Sequence, residues 1–480
     1  MNAGINIQMN ASNTLKSSKE VYFIGIGGIG MSAIARYFNS LGIKVSGYDR
    51  NESELTTRLM EEGIQIHFTE DVSLIPKNAD LVVYTPAIPN GHQELKYYQN
   101  NGYDVVKRSD VLEKITAETF NICIAGTHGK TTISTMIAHI LRNTDYGCNA
   151  FLGGISVNYN TNFWSSKNKV CVVEADEYDR SFLKLNPDIA IITAMDADHL
   201  EIYGNKEAMQ DAFIAYGNKI KQDGILIFKQ ELSRINEIKA NDKIGYSLQN
   251  AASDAYASNI TMENGSYVFD VTVKGKELTG IKLNIGGMHN VENAIAAITV
   301  ALELKIDDNK IKNAIEHFKG VRRRFEYIIP PEVQEEGRFI KRVLIDDYAH
   351  HPEELKALLK SVSSLFNGRI ITIVFQPHLF TRTRDLAAEF AKALDIANRI
   401  ILLPVYPARE LPIEGVSSEM ILNKISKSDK KVMSRSELLT WFEEYSNKSD
   451  KEFGEVIVMA GAGDIDALVK PVQQIIEKSW

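Results

Sequence analysis

A short apolar strand that runs through a glycine-bounded turn into a helix constrains this chain more than any other stretch. Residues 121–125 read NICIA, and such an apolar run predicts a buried strand. From Lys130 onward, apolar residues recur at intervals of three and four, which predicts a helix with one buried face. The turn between them, GTHG at 126–129, has a glycine at each end. The sequence therefore predicts the strand, turn and helix of an α/β domain.

This turn has the residues of a phosphate-binding loop. Free backbone N–H groups and the positive end of the helix dipole converge on an anion at such a helix start. We expect Lys130 to reach the terminal phosphates and the hydroxyl of Thr131 to ligate magnesium. The loop is shorter than the full Walker pattern, since Ile124 stands where a glycine is expected, and an ordinary strand-to-helix turn is the alternative. The predicted ATP-binding residues of this stretch are Gly126, Thr127, His128, Gly129, Lys130, Thr131 and Thr132.

Length and composition limit the possible classes of protein. At 480 residues the chain exceeds what one core usually supports, so two or three domains are expected. A net charge of -8 without a long basic run argues against a nucleic-acid partner. Residues 1–20 are polar and no later stretch could span a bilayer, so we expect a cytoplasmic protein with a flexible leader and no membrane insertion. The three cysteines are widely spaced and predict neither a disulfide nor a metal cluster.

A second glycine-rich turn opens the predicted first domain, residues 21–116. A strand runs into GIGGIG and a helix follows, which is typical of a loop that holds a nucleotide diphosphate. Asp49 ends the next strand, where a carboxylate can accept from ribose hydroxyls, although aspartates are also common in turns. A nicotinamide cofactor and a UDP-sugar share the pyrophosphate, and close packing without a ligand is a further alternative. The predicted substrate-binding residues are Gly27, Gly28, Ile29, Gly30, Asp49 and Thr85.

In the predicted central domain, residues 117–320, acidic loops follow two apolar strands. The first loop, EADEYD, lies beside the phosphate loop, where Glu174 can hold magnesium. The second loop contains His199, which could ligate a second metal ion, orient a carboxylate or be an ordinary loop histidine.

Two further features belong to the same domain. His289 and Asn293 lie four residues apart on a predicted helix and can offer hydrogen bonds to a base such as adenine. Residues 254–283 alternate apolar and polar side chains between turn signals, which predicts β-hairpins.

Three arginines in GVRRRFE mark the start of the predicted C-terminal domain, residues 321–480. Arg322, Arg323 and Arg324 could bind phosphate, because guanidinium groups bind phosphate through paired hydrogen bonds, but a solvated charge cluster is the alternative. Apolar strands then alternate with polar loops and helices, which predicts a second doubly wound α/β unit. Polar side chains at the strand ends should share one rim of the sheet. These are Asp346, Asp347, His350, His351, His378, Arg382 and Arg384.

Taken in order, these motifs resemble those of the Mur ligase family, from about Val21 to the C-terminus. The motifs are GIGGIGMSAIA, AGTHGKTT, EADEYDRSF, DADHLEIYG, MHNVENAIAA, RRRFE, DDYAHHPEE and QPHLFTRTRDL. The resemblance implies an α/β protein of three domains. The N-terminal Rossmann-like domain would hold the UDP part of the substrate, and the central P-loop ATPase-like domain, with added β-hairpins, would hold ATP and magnesium. The C-terminal Rossmann-like domain would bring the amino acid.

The resemblance also implies a reaction. An ATP-dependent amide ligase would join L-alanine to UDP-N-acetylmuramate in peptidoglycan precursor synthesis. The lactyl carboxylate would attack the γ-phosphate of ATP, and the amine of L-alanine would displace phosphate from the resulting acyl phosphate. ATP and Mg²⁺ are the expected cofactors, and the enzyme is expected to be a monomer or a homodimer.

Residue roles follow from the same resemblance. The expected catalytic residues are Lys130, His199, Arg324 and His350, and the expected magnesium ligands are Thr131, Glu174 and His199. His289 and Asn293 would contact adenine, Arg324 and Asp346 would bind ATP, and Arg382 would hold the alanine carboxylate. Leu379 stands where some relatives have arginine.

Three alternatives remain open at this point. A ligase of the same family attaches a recovered tripeptide to UDP-N-acetylmuramate and has a similar acidic motif. A nicotinamide-dependent oxidoreductase would account for the first domain but leaves GTHGKTT unexplained. A non-catalytic nucleotide-binding regulator would not need the combination of Lys130, Glu174 and His199.

Overall fold

Three β-sheets, each with several parallel strands, organise the chain. They are seen in a computed structural model that describes residue 15 and residues 18–196, 200–263, 265–331, 342–408, 410–448 and 454–478. One unit of the chain comprises Met1–Tyr256, Thr272–Glu277 and Asn293–Ala314, and the other comprises Ala257–Val271, Leu278–Glu292 and Ile315–Trp480. No helix within the described ranges is long and apolar enough to cross a membrane.

The N-terminal sheet is parallel throughout. Its strands are β1 (Glu20–Ile24), β2 (Lys44–Tyr48), β3 (Gln65–His67), β4 (Leu81–Tyr84) and β5 (Val105–Lys107), and its helices are α1 (Ile29–Ser40), α2 (Glu54–Glu61), α3 (Gln93–Asn100) and α4 (Arg108–Thr116). The strand order β3-β2-β1-β4-β5 is that of a Rossmann-like domain, with β1 in the centre and buried along its length. The glycine loop after β1 therefore lies at the carboxyl edge, where such sheets bind nucleotides.

The central sheet carries the phosphate loop. Its strands are β6 (Phe120–Ala125), β7 (Asn149–Ser156), β8 (Thr161–Trp164), β9 (Val170–Glu174), β10 (Ile189–Ile192), β11 (Ile225–Lys229), β12 (Asp242–Ser247), β13 (Ala255–Glu263), β14 (Ser266–Val273) and β15 (Lys276–Leu283). Its helices are α5 (Lys130–Asn143), α6 (Leu200–Tyr203), α7 (Lys206–Gly217), α8 (Met288–Glu303) and α9 (Asp308–His317), with 3₁₀ turns at Ser181–Lys184 and Ile235–Glu237. The order is β15-β14-β13-β12-β11-β10-β6-β9-β7-β8. Because β6 pairs in parallel with β9 and β10, the loops after these three strands share one edge.

The third sheet belongs to the C-terminal part of the chain. Its strands are β16 (Glu326–Ile329), β17 (Val343–Asp347), β18 (Ile370–Phe375), β19 (Arg399–Leu402), β20 (Lys430–Val432) and β21 (Glu455–Ala460). Its helices are α10 (Pro352–Leu365), α11 (Phe380–Asp385), α12 (Ala387–Leu394), α13 (Glu419–Leu422), α14 (Arg435–Lys448) and α15 (Asp466–Lys478). The order is β16-β17-β21-β18-β19-β20, with only β16 antiparallel among the pairings described.

The predicted fold class is confirmed, because the chain forms two Rossmann-like sheets and, between them in the sequence, a P-loop sheet extended by β13 to β15. The prediction did not include the hairpin of β7 and β8, whose sequence is interrupted by Gly153 and Gly154. Within the predicted leader, Leu15 is only 5% exposed and packs in the core of the first unit. The prediction that residues 1–20 are flexible therefore omitted a packing contact at Leu15.

One hydrophobic core joins the N-terminal and central sheets. It includes Phe38 of α1 together with Phe151 and Phe163 of the β7–β8 hairpin. The ring of Tyr37 contacts both of these phenylalanines at centroid distances of 5.7 and 6.1 Å. This shared core explains why the two sheets form a single unit.

A buried polar network at the same interface fixes the start of α1. Asn162 of β8 is fully buried, and its amide donates hydrogen bonds to the Ile29 carbonyl at 2.6 Å and to Ser32 Oγ at 2.9 Å. Its carbonyl oxygen accepts from the buried guanidinium of Arg36, which also forms a bidentate pair with Glu62. The central sheet thus holds the helix that follows the glycine loop.

We predict that Asn162→Ala destabilises the first unit by about 2–3 kcal/mol, because the buried groups around it lose their partner. That cost corresponds to a melting temperature lower by roughly 5–10 °C, measurable by scanning calorimetry. Asn100→Ala, at an exposed position of α3, should leave the transition within about 1 °C of wild type. Equal melting temperatures for the two variants would contradict a stabilising role for Asn162.

Candidate functional site

The phosphate loop needs glycine at both of its ends. Gly126 has φ +129°, and a Cβ there would lie 2.1 Å from Thr193 Oγ1 at the end of β10. Gly129 has φ +80° and directly precedes α5, and a Cβ there would lie 3.0 Å from Asn293 Oδ1. Thr193 also donates a hydrogen bond to the carbonyl of His128. The loop is therefore closely packed against the next strand and against α8.

Lys130 is held by two acceptors at the start of α5. Its ammonium donates to the Gly126 carbonyl at 2.7 Å and to Glu177 Oε1 at 2.7 Å. Glu177 is 1% exposed, its second oxygen has no hydrogen-bond partner among the described residues, and its carbonyl accepts from the hydroxyl of Tyr203. Burial raises the pKa of Glu177, and Lys130 opposes that shift. The pair fixes the position of Lys130 and leaves one ammonium proton for a phosphate.

Thr131 meets Glu174 across the β6–β9 pairing. The threonine hydroxyl donates to Glu174 Oε1 at 3.0 Å, and Glu174 Oε2 accepts from the Gly153 amide at 3.0 Å. A Cβ at Gly153 would lie 2.1 Å from that carboxylate, so glycine is required there. Hydroxyl and carboxylate oxygens are ligands that magnesium accepts. Two predicted magnesium ligands are thus brought together, while His199 lies outside the described residues.

The other predicted residues of the loop differ in their contacts. Thr132 is buried in the first turn of α5, and Thr127 accepts from the Asp196 amide at 3.3 Å. His128 is exposed, 3.7 Å from the exposed carboxylate of Asp196. No group of three or more histidine, cysteine or acidic side chains could by itself hold a metal ion among the residues with described positions. A magnesium ion here would therefore need further oxygens, from water or from a phosphate, to complete its shell.

The glycine loop of the N-terminal sheet is shaped by Asp49 and Thr85. Asp49 Oδ2 accepts from the Gly27 amide at 2.7 Å, and Oδ1 accepts from the Asn51 amide at 3.2 Å. Thr85 lies beside the loop, with its methyl carbon 2.9 Å from the place of a Cβ on Gly25. Gly28 precedes α1 without a side-chain cap, so the first amides of this helix remain available to an anion. Asp49 thus braces the loop, and its contact with ribose remains a prediction.

Sequence reasoning did not single out Arg108, at the first position of α4. Its Nη1 lies 2.7 Å from the place of a Cβ on Gly30, and its Nη2 lies 3.7 Å from Asp176 Oδ2. Arg108 lines a small crevice together with Ser109, Glu174, Asp176 and Ser181. Arginine is common on protein surfaces, so its presence in the sequence does not indicate a site. Its position between the glycine loop and the acidic loop after β9 becomes visible only in the tertiary structure.

In the second unit, the arginine cluster separates into two roles. Arg323 Nη2 donates to the Gly461 carbonyl, and its guanidinium pairs with Asp346 at 3.6 Å and with Asp466 at 3.4 Å. Arg324 is exposed. Arg323 is thus committed to internal contacts, whereas Arg324 is not buried.

Asp346 is a buried carboxylate at the end of β17. Its side chain is 5% exposed, and Oδ1 has no hydrogen-bond partner among the described residues. Burial raises the pKa of Asp346 to about 7, although Arg323 opposes the shift. A buried acceptor of this kind suits a hydroxyl donor from a ligand.

His350 and Arg382 meet at the rim of the third sheet, as predicted for strand-end residues. Arg382 Nη1 donates to the His350 carbonyl at 3.5 Å, and the rings of His350 and His378 are 5.9 Å apart. Burial, His350 and Arg382 lower the pKa of His378 below its ordinary value. Leu379, next to His378, has φ +71°, a conformation that is costly for a side chain of this size.

Two further predicted residues, His289 and Asn293, lie on α8. Asn293 is 8% exposed and approaches Gly129 of the phosphate loop. His289, one turn earlier, is exposed. The structure therefore brings Asn293 to the phosphate loop. The contacts of His289 and Asn293 with adenine stay predictions.

Comparison with known families accounts for most of the chain. Residues 20–119 match the Mur ligase family catalytic domain, residues 124–301 the Mur ligase middle domain, and residues 323–463 the Mur ligase glutamate ligase domain.

Relatives cover the chain almost completely. A protein of Porphyromonas gingivalis named UDP-N-acetylmuramate–L-alanine ligase is 44% identical over 96% of this chain and 99% of its own length. A protein of the same name from Cytophaga hutchinsonii is 43% identical over 96% of this chain and 97% of its own.

Solved structures agree with these matches. The UDP-N-acetylmuramate-alanine ligase of Thermotoga maritima is similar with a TM-score of 0.77 at 28% identity, covering 96% of this chain and 98% of that one. A murein peptide ligase of Psychrobacter arcticus shares the fold, with a TM-score of 0.63 at 21% identity over 95% and 98% of the two chains. With matched segments in all three sheets and relatives at this level of identity, the chain belongs to the Mur ligase family.

Proposed function

We propose that this protein is an ATP-dependent ligase that joins L-alanine to UDP-N-acetylmuramate through an acyl phosphate. The main support is the placement of Lys130, Thr131 and Glu174 at one strand edge, in a chain whose full-length relatives carry that name. The lactyl carboxylate attacks the γ-phosphate of ATP and ADP leaves. The amine of L-alanine then adds to the acyl carbon, phosphate departs, and an amide remains.

Charge neutralisation is the main requirement of the first step, because a carboxylate and a triphosphate repel one another. Lys130 is positioned by Glu177 and Gly126, so its ammonium can meet the transferring phosphoryl group without first being ordered. The amides of the loop and the start of α5 add further positive potential. Arg324 is exposed and would supply a further positive charge to the transferring phosphoryl group.

Magnesium fits the donors near the loop. The Thr131 hydroxyl and the Glu174 carboxylate, 3.0 Å apart, would hold the ion, and oxygens of ATP would complete its shell. When bound, it would neutralise charge on the transferred phosphoryl group. His199 is proposed as a further ligand.

Polar residues of the C-terminal sheet would bind L-alanine and ATP. Arg382 would pair with the carboxylate of L-alanine, since a guanidinium binds a carboxylate through two hydrogen bonds. His350, which lies beside Arg382, would position the same substrate, and buried Asp346 would accept from a hydroxyl of ATP. We further infer a cytoplasmic location, where ATP and sugar nucleotides are available.

We predict that Lys130→Ala lowers amino-acid-dependent phosphate release at least about 100-fold, because the transferring phosphoryl group loses its positioned cation. Binding of UDP-N-acetylmuramate, measured by calorimetry, should stay within about threefold of wild type. Lys239→Ala, at an exposed position of the central domain, is the matched control and should react at the wild-type rate. Loss of sugar-nucleotide binding in Lys130→Ala would contradict the assignment of two separate nucleotide sites.

We predict that Glu174→Gln raises the Mg²⁺ concentration needed for half-maximal activity at least about tenfold, because the amide carries no negative charge for the ion. A magnesium titration of phosphate release measures the change, and Glu207→Gln at an exposed site of α7 is the control. An unchanged magnesium requirement would remove Glu174 from the metal site.

We predict that the wild-type enzyme releases phosphate from ATP only when UDP-N-acetylmuramate and L-alanine are both present. The reason is that each step of the ligation consumes one of these substrates. A phosphate assay with L-alanine, a free tripeptide or no amino substrate separates the alternatives. Equal turnover with the tripeptide would identify the other ligase of this family, and turnover without any amino substrate would contradict amide synthesis.

A further inference from the structure

Arg108 lies between the two loops that the proposed reaction must connect. It begins α4 in the N-terminal domain, and its side chain is 18% exposed. On one side its Nη1 is packed against Gly30 in the first turn of α1. On the other side its Nη2 faces Asp176 in the acidic loop after β9. Two residues before Asp176, Glu174 contacts Thr131.

The N–H donors of the Arg108 guanidinium lack hydrogen-bond acceptors within the described part of the chain. No acceptor lies within hydrogen-bond distance of its nitrogens there, and the closest carboxylate, Asp176, is 3.7 Å away. The side chain is 18% exposed, so water can occupy the five N–H donors of this guanidinium and an anion can replace that water. The arrangement therefore favours an anionic ligand with oxygens on the side of the glycine loop.

Gly30 makes room for the arginine. A Cβ at this position would lie 2.7 Å from Nη1 and 3.3 Å from both Cδ and Cζ of Arg108. The glycine therefore allows the guanidinium to approach the uncapped first turn of α1, where free amides already attract a phosphate. Backbone amides and the arginine thus converge on the same region.

We propose that Arg108 binds the sugar-proximal phosphate of UDP-N-acetylmuramate. The inference rests on the proposed function and adds a residue to its substrate site. The sugar must extend from the glycine loop toward Glu174, because its lactyl carboxylate reacts beside the magnesium ligands. Arg108 lies along this direction, so it faces the phosphate attached to the sugar and not the one attached to uridine.

Calorimetric titrations with UDP, UMP and UDP-N-acetylmuramate test this assignment, in the presence of Mg²⁺ and a non-hydrolysable ATP analogue. Arg108→Met should weaken UDP and UDP-N-acetylmuramate roughly 10- to 100-fold, the loss expected for a charge-assisted phosphate contact. UMP lacks the sugar-proximal phosphate and should bind within about threefold of wild type. Arg108→Lys keeps the positive charge but loses the paired donors of the guanidinium, so its affinity for UDP should lie between those of wild type and Arg108→Met. It also provides a second variant if Arg108→Met folds poorly.

Lys184→Met is the matched control. Lys184 bonds to Ser109 and Asp110 of α4, so its loss removes a nearby positive charge and an interface contact without touching Gly30. It should leave the affinity for UDP unchanged. An equal loss in Lys184→Met would attribute the effect to the interface and overturn the proposal.

The other outcomes are equally decisive. Weaker binding of UDP-N-acetylmuramate alone would place the guanidinium on the lactyl carboxylate, and equal weakening of UMP and UDP would place it on the other phosphate. Unchanged binding in Arg108→Met would reject the role of Arg108 while leaving the ligase function intact. Failure of the wild-type protein to bind UDP would reject both.

Discussion

The parallel pairing of β6 with β9 is the constraint on which the candidate site depends. It brings the phosphate loop beside the acidic loop, so Lys130 bonds to Glu177 and Thr131 bonds to Glu174. Each pair joins a group that can bind phosphate or metal to a carboxylate that holds it in place. The cation is therefore positioned by folding, and its ordering does not have to be supplied by the substrate.

Contacts made by folding also hold the glycine loop of the N-terminal sheet in place. Asn162, on an edge strand of the central sheet, hydrogen-bonds to the carbonyl of Ile29 and thereby fixes the helix that follows the glycine loop. Arg108 approaches the same loop from α4. One hydrophobic core joins the sheets that carry the glycine loop and the phosphate loop, and the Asn162 network holds the helix after the glycine loop, which favours a fixed distance between the two loops.

In the second unit, burial decides which polar groups remain available. Arg323 is consumed by the Gly461 carbonyl and two carboxylates, while Arg324 faces outward. One oxygen of Asp346 has no hydrogen-bond partner within the described ranges, and burial raises the pKa of this carboxyl to about 7. The unusual backbone of Leu379 adjoins His378 and Arg382, and strain of this kind is commonly found where side chains are held for function.

The sequence by itself determined the fold class, the main strands and the two nucleotide loops, because apolar periodicity and glycine positions are local signals. It also indicated Lys130, Thr131 and Glu174. Only the tertiary structure decided which side chain holds Lys130, which of two adjacent arginines is exposed, and that Arg108 reaches Gly30. The hairpin of β7 and β8 escaped prediction because glycines interrupt its pattern. These features depend on contacts between residues distant in the chain, and no local pattern in the sequence records such contacts.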